Sequence, residues 1–261
     1  MPAPQFPVGA PCWVDLMSDD IDRCRAFYGE LFGWEAGEAQ EEFGGYFNWT
    51  KDGELVAGGM PKHQAEHPTV WSVYLVTTGA KQTIDDAAAR GSQVCVPAMD
   101  VGTLGTMGVV TDPGGALIGL WEPADHRGFG TVREHGTPGW FELHTRDYAA
   151  SLDFYRDIFG WTTESMGDTD EFRYSVFQHG DEQLGGIMDA TNFLPDGVPA
   201  HWSVYFAVDD TDAALAHVEK LGGAIVMPAE DTPYGKLAVA TDPTGAQFKL
   251  VGPNEQMPAT S

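Results

Sequence analysis

Along the chain, runs that alternate apolar and polar residues with period two give way to runs in which apolar residues recur every three or four positions. WVDLM (13–17) and WFELH (140–144) have the first pattern, that of half-buried strands. Ile21, Cys24, Phe27, Tyr28 and Leu31 have the second, as do Leu152, Tyr155, Ile158 and Phe159, which predicts a helix after each strand with its apolar face in the core. Asp19 and Asp20, or Asp147, stand where a helix N-terminus favours carboxylates, and Gly33 or Gly160 stands at the C-terminal stop. Short strands are expected around GGYFNWTKDGELVAGGM and FRYSVFQHGDEQLGGIM, with Asp52-Gly53 and His179-Gly180-Asp181 as turns. WSVYLV or WSVYFAV then leads to a second helix ending at Gly91 or Gly222. The closing strands are joined by TDPxG, which suits a type I turn.

The two sets of elements are one pattern written twice. Trp13 meets Trp140, Tyr28 meets Tyr155 and Trp34 meets Trp161, all at an offset of 127 with no gap. Further on, VWSVYLVTT matches HWSVYFAVDD, and TDPGGALIGL matches TDPTGAQFKL, so only small indels separate the copies. Each half reads as βαβββ twice. The expected division is a first domain over 1–126, a linker over 127–138 and a second domain over 139–261. The doublets Gly44-Gly45, Gly58-Gly59, Gly185-Gly186 and Gly222-Gly223 lack the context of a phosphate-binding loop and are read as bulges or tight turns.

Composition narrows the function. Fourteen Lys plus Arg against 39 Asp plus Glu give a formal charge of -25, a field that repels phosphate backbones and anionic lipid, so neither nucleic acid nor a membrane is expected as a partner. Cys12, Cys24 and Cys95 are odd in number and show no CxxC spacing, which argues against a disulfide framework or a thiolate zinc site. With MPAPQFPVGAP lacking a basic and an apolar region, the expected location is the cytoplasm.

The first strand followed by Asp20…FYGELFGW (27–34) or Asp147…FYRDIFGW (154–161), together with the closing DPxG turns, resembles the vicinal oxygen chelate superfamily of glyoxalases, bleomycin-resistance proteins and extradiol dioxygenases. The chain looks most like tandem-domain actinobacterial members labelled glyoxalase-like or hydroxylase, some of them associated with aromatic polyketide pathways. The resemblance implies an α+β fold of two tandem domains, each built of two βαβββ modules whose sheet curls into a cup. It also implies three metal-ligand positions per domain. These fall on Trp13, Ser72 and Gly119 in the first half and on Trp140, Ser203 and Lys249 in the second.

A divalent ion needs several N, O or S donors converging at about 2 Å, which indole and ammonium cannot supply, so no metal and no cofactor is expected at those positions. Strand alternation leaves one displaced set open, Glu142 with His144 and His201 as a 2-His-1-carboxylate group. The same alternation predicts what lines the cups: Trp13, Asp15, Met17, Ser72, Tyr74, Leu117, Gly119 and Trp121 in a wide aromatic first cup, and Trp140, Glu142, His144, Ser203, Tyr205 and Lys249 in a more polar second one. Expected functions are metal-independent binding of an aromatic metabolite, with sequestration or hand-off, or a metal-free enzyme in which Asp15, Glu142 or His144 is the general base. The oligomeric state, monomer or homodimer, stays open.

Overall fold

The computed structural model describes residues 6–64 and 66–254. The first half runs β1 (Pro11–Ser18), α1 (Ile21–Phe32), β2 (Glu35–Ala36), β3 (Phe47–Lys51), β4 (Glu54–Pro61), β5 (Val70–Val76), α2 (Ala80–Ala89), β6 (Val94–Val101), β7 (Gly105–Thr111) and β8 (Leu117–Pro123). The second repeats it as β9 (Pro138–Thr145), α3 (Tyr148–Phe159), β10 (Thr162–Asp168), β11 (Arg173–His179), β12 (Glu182–Asp189), β13 (His201–Ala207), α4 (Thr211–Lys220), β14 (Ala224–Thr232), β15 (Gly235–Thr241) and β16 (Gln247–Gly252). Each half forms one curled, eight-stranded mixed sheet, ordered β2-β3-β4-β1-β5-β8-β7-β6 and β10-β11-β12-β9-β13-β16-β15-β14. The strands that open the two modules of each half, β1 with β5 and β9 with β13, pair antiparallel at the centre. Their inward residues therefore meet at the bottom of each cup.

Local signals place the elements. Asp20 caps α1 by accepting from the Arg23 N–H, and Gly33 and Gly160 end α1 and α3 in the left-handed conformation. Asp112 and Asp242 hold the DPxG turns by accepting from the Ala116 and Ala246 N–H groups. Gly44 and Gly45 form a turn as expected, with φ of 67° and 84°. The doublets of β4 and β12 lie close to register shifts, at Val56 and Leu184, as expected of bulges, and meet a second demand as well. They lie within the strands, and a Cβ would strike the Tyr46 ring at Gly58, the Phe47 and Trp49 rings at Gly59, the Phe177 ring at Gly185 and the Tyr174 ring at Gly186. Close approach of aromatic rings, in addition to the bulge, calls for glycine there.

The signature tyrosines and the DPxG aspartates meet across the halves. Tyr28 donates to Asp242 Oδ2 at 3.1 Å and accepts from Trp71 Nε1 at 3.0 Å, while Tyr155 donates to Asp112 Oδ2 at 3.3 Å and accepts from Trp202 Nε1 at 3.0 Å. Trp34 Nε1 donates to the Gly136 carbonyl and Trp161 Nε1 to the Gly9 carbonyl. Phe32 and Trp71 pack on Phe206 with ring centroids 5.2 and 5.3 Å apart, so one core spans both halves. Tyr28→Phe leaves the Trp71 N–H and the Asp242 carboxylate short of a partner and is expected to cost about 1–3 kcal/mol in urea denaturation. Tyr155→Phe should cost the same. Because the core is shared, fluorescence and circular dichroism should trace a single transition for the whole chain.

Candidate functional site

In the first cup, β1 brings Trp13, Asp15 and Met17 opposite Tyr74, Ser72 and Val70 of β5. Trp13 Nε1 donates to the Tyr46 hydroxyl at 2.7 Å. The Trp13 indole is 5% exposed, with the His126 ring edge-on at 4.4 Å and Phe129 at 5.5 Å. Trp121 Nε1 donates to the His126 carbonyl. The segment after β8 thus folds back over the cup, and the wide cleft expected here is occupied by the chain's own rings. Leu117 stands exposed at the start of β8. Gly119 takes no part through a side chain; the Tyr74 ring fills the space beside it.

Asp15 lies at the bottom of this cup with no cation beside it among the described residues. Burial pushes its carboxyl up to about 6, against the opposing effect of hydrogen bonds from Tyr74 and Ser72. Burial likewise lowers His126 to about 4. Its Nδ1 accepts from the Gly128 N–H at 3.2 Å, and its Nε2 is buried without a partner.

The second cup has the same frame and different chemistry. Trp140 Nε1 donates to the Tyr174 hydroxyl at 3.1 Å, as Trp13 does to Tyr46. Across β9 and β13, Trp140 faces Tyr205, Glu142 faces Ser203 and His144 faces His201, and Lys249 of β16 lies beside Tyr205. Where the first cup has Gly119, the Lys249 ammonium reaches Glu142 Oε1 at 3.1 Å, the Tyr205 hydroxyl at 2.9 Å and His144 Nε2 at 2.6 Å. Tyr205 donates in turn to Glu142 Oε1 at 2.8 Å. Glu142, Ser203, Tyr205 and Lys249 are all buried, whereas Trp140, His144 and His201 are half-buried.

Burial alone would raise the Glu142 carboxyl; the charge of Lys249, with His144 and Tyr205, outweighs it and holds the group well below the usual carboxylate range. Burial and the Lys249 charge push His144 below the usual imidazole range. Glu142 Oε1 lies 2.8 Å from His144 Nε2, an approach that would favour an imidazolium on its own, but burial and the ammonium beside both atoms outweigh it. Nε2 accepts from Lys249, and the carboxylate and imidazole share that cation. Burial also lowers His201, whose Nδ1 faces the Pro199 carbonyl at 3.0 Å.

The donors do not fit a divalent ion. Glu142 and His144 converge on an ammonium, Trp140 has only its N–H to offer and turns it to Tyr174, and His201 Nε2 is then left as a lone donor. The displaced 2-His-1-carboxylate set is thereby corrected: Lys249 sits among its members, and no group of three His, Cys, Asp or Glu among the described residues is arranged to hold a metal. Sequence reasoning missed Tyr46, Tyr174, His126 and Phe129. Tyr46 and Tyr174 were readable as repeat-equivalent residues in GYFNW and RYSVF, but no pattern marked the fold-back of residues 124–130.

Two stability effects follow from the contrast between the cups. Asp15 titrates near 6 when folded and near 4 when unfolded, so its contribution is fully present below about pH 4 and lost as pH rises through 6. Thermal melts of Asp15→Asn, which keeps an acceptor for Tyr74 and Ser72, should match wild type at pH 4 and exceed it by about 1–3 kcal/mol at pH 8. Lys249→Met takes the ammonium from buried Glu142, leaving it Tyr205 and an imidazole that must gain a proton to pair with it, and should lose about 3–5 kcal/mol at pH 7. Glu142→Gln in the same background should recover part of that loss.

Comparison with known proteins agrees with this architecture. The Glyoxalase/Bleomycin resistance protein/Dioxygenase superfamily matches residues 12–120 and 137–250. CFP32 of Mycobacterium tuberculosis, a protein that carries a glyoxylase name, is 38% identical over 97% of this chain and 98% of its own. The anthracycline biosynthesis protein DnrV of Streptomyces peucetius is 34% identical over 98% of both chains. Among solved structures, the 2,3-dioxygenase LapB from Pseudomonas sp. KL28 superposes with a TM-score of 0.65 at 14% identity, covering 98% of this chain and 94% of that one. The Mn(II)-bound glyoxalase from Novosphingobium aromaticivorans superposes with a TM-score of 0.64 at 16% identity, covering 97% and 87%. Fold, repeat and relatives agree that the chain belongs to the glyoxalase, bleomycin-resistance and dioxygenase superfamily, as two tandem domains.

Proposed function

We propose that this chain is a metal-independent small-molecule-binding protein whose second cup takes a planar aromatic, polyketide-like metabolite for sequestration or transfer to another enzyme. The observation that carries the reading is the seat of Lys249, whose ammonium already engages Glu142, His144 and Tyr205 of the second cup. Around it lies an aromatic margin. Phe172, 36% exposed, stacks on Tyr174 at 5.9 Å, and half-buried Trp140 donates to the Tyr174 hydroxyl. Apolar walls with a few fixed polar groups are what an aromatic ligand requires, and stacking adds about 0.5–1.5 kcal/mol per ring pair beyond area burial. The name of DnrV, an anthracycline biosynthesis protein, supports the same ligand class.

The cluster also supports a second reading, a metal-free proton-transfer enzyme, because His144 is held neutral with one ring nitrogen unpaired inside the chain. If that reading holds, Glu142→Gln and His144→Ala abolish turnover while binding persists. The binding role is tested by titrating the protein with anthraquinone and other unsubstituted polycyclic aromatics while following tryptophan emission. Saturable quenching unchanged by EDTA is expected. Absence of quenching by every aromatic, or binding that disappears with EDTA, would overturn it.

A further inference from the structure

The hydrogen bonds of Lys249 and of the Pro199 carbonyl bear on which proton each imidazole of the second cup carries. His144 Nε2 has the Lys249 ammonium at 2.6 Å and the Glu142 carboxylate at 2.8 Å; in a neutral ring the shorter contact favours Nε2 as acceptor, which puts the proton on Nδ1. His201 Nδ1 lies 3.0 Å from the Pro199 carbonyl, which only accepts, so His201 also carries its proton on Nδ1 and keeps Nε2 as an acceptor. The two rings face each other across β9 and β13, nearly parallel, with centroids 5.3 Å apart. Neither His144 Nδ1 nor His201 Nε2 has a partner among the described residues, and both rings are half-buried at the margin of the cup.

We infer that the His144–His201 pair is a recognition site for a phenolic or enolic hydroxyl standing next to a carbonyl on one edge of a planar ligand. His144 Nδ1–H donates to the carbonyl oxygen and His201 Nε2 accepts from the hydroxyl. Lys249 is the positioning residue: by donating to Nε2 it holds the tautomer of His144, and its charge, passed through the ring, strengthens the Nδ1–H donor. The first cup has no such pair, since Met17 and Val70 occupy the equivalent positions. Two neutral side-chain hydrogen bonds suffice for about tenfold discrimination between ligands of the same shape.

This inference rests on the binding role proposed for the second cup, and the experiment separates the two. The probes are flavone, 3-methoxyflavone and 3-hydroxyflavone; in the last, the hydroxyl bridges its own carbonyl, and its proton-transfer emission reports whether that bridge is intact. Expected are an affinity for 3-hydroxyflavone about tenfold above that for 3-methoxyflavone, suppression of the proton-transfer band on binding, and loss of both effects in His201→Phe. Equal affinities, or tight binding with the band retained, would overturn the inference and leave aromatic binding standing. Failure of the flavones together with the unsubstituted aromatics would overturn both. Independently of any ligand, 15N shifts of the His144 ring in wild type should show a protonated Nδ1 and a bare Nε2 at pH 7, with the preference lost in Lys249→Met; a protonated Nε2 in wild type would refute the role given to Lys249.

Discussion

A carboxylate at the bottom of a curled sheet must be neutralised or matched by a positive charge, and each half of this protein meets that constraint differently. Glu142 is buried against Lys249, whose three N–H groups have three acceptors within 3.1 Å. Pairing a buried charge offsets a desolvation cost of several kcal/mol, and here it also dictates the state of everything within reach. Tyr205 points its hydroxyl hydrogen at the carboxylate, His144 stays neutral, and an ion that would compete for the same donors meets a cation already in place. Asp15, at the equivalent depth with no lysine opposite, is instead pushed toward the protonated form.

One residue underlies much of that divergence. With Gly119 in β8, the Tyr74 ring settles into the space beside it, and the fold-back of residues 124–130 lays His126 and Phe129 against Trp13. With Lys249 in β16, Tyr205 is held by hydrogen bonds and the cup keeps polar groups at its centre and half-buried rings at its margin. The scaffold is shared down to the Trp–Tyr hydrogen bond beside a strand glycine. Duplication preserved the frame, while the chemistry of the two cups separated.

The same repeat joins the halves. Tyrosine of the FY motif and aspartate of the DPxG turn both look like local features, a helix core position and a turn former, yet each finds its partner in the other half. Such reciprocal pairs, with Trp71 and Trp202 beneath them, bury hydroxyls and carboxylates in satisfied form. They fix how the two sheets sit against each other, and so the rigidity of both cups.

The sequence by itself determined the elements, the duplication and the side chains that share a strand face, because period, turn chemistry and spacing are local and repeat at a fixed offset. It placed Glu142, His144 and Lys249 on cup-facing positions without showing that they touch. Lys249 is 107 residues from Glu142 and 105 from His144, and their contact depends on how far the sheet curls. Tertiary structure alone decided that the first cup is filled, that the second centres on an ammonium, and that Tyr28 and Tyr155 reach across the molecule. The reason is physical: alternation states which way a side chain points, but burial, charge pairing and tautomer follow from what the rest of the chain brings within about 3 Å of it.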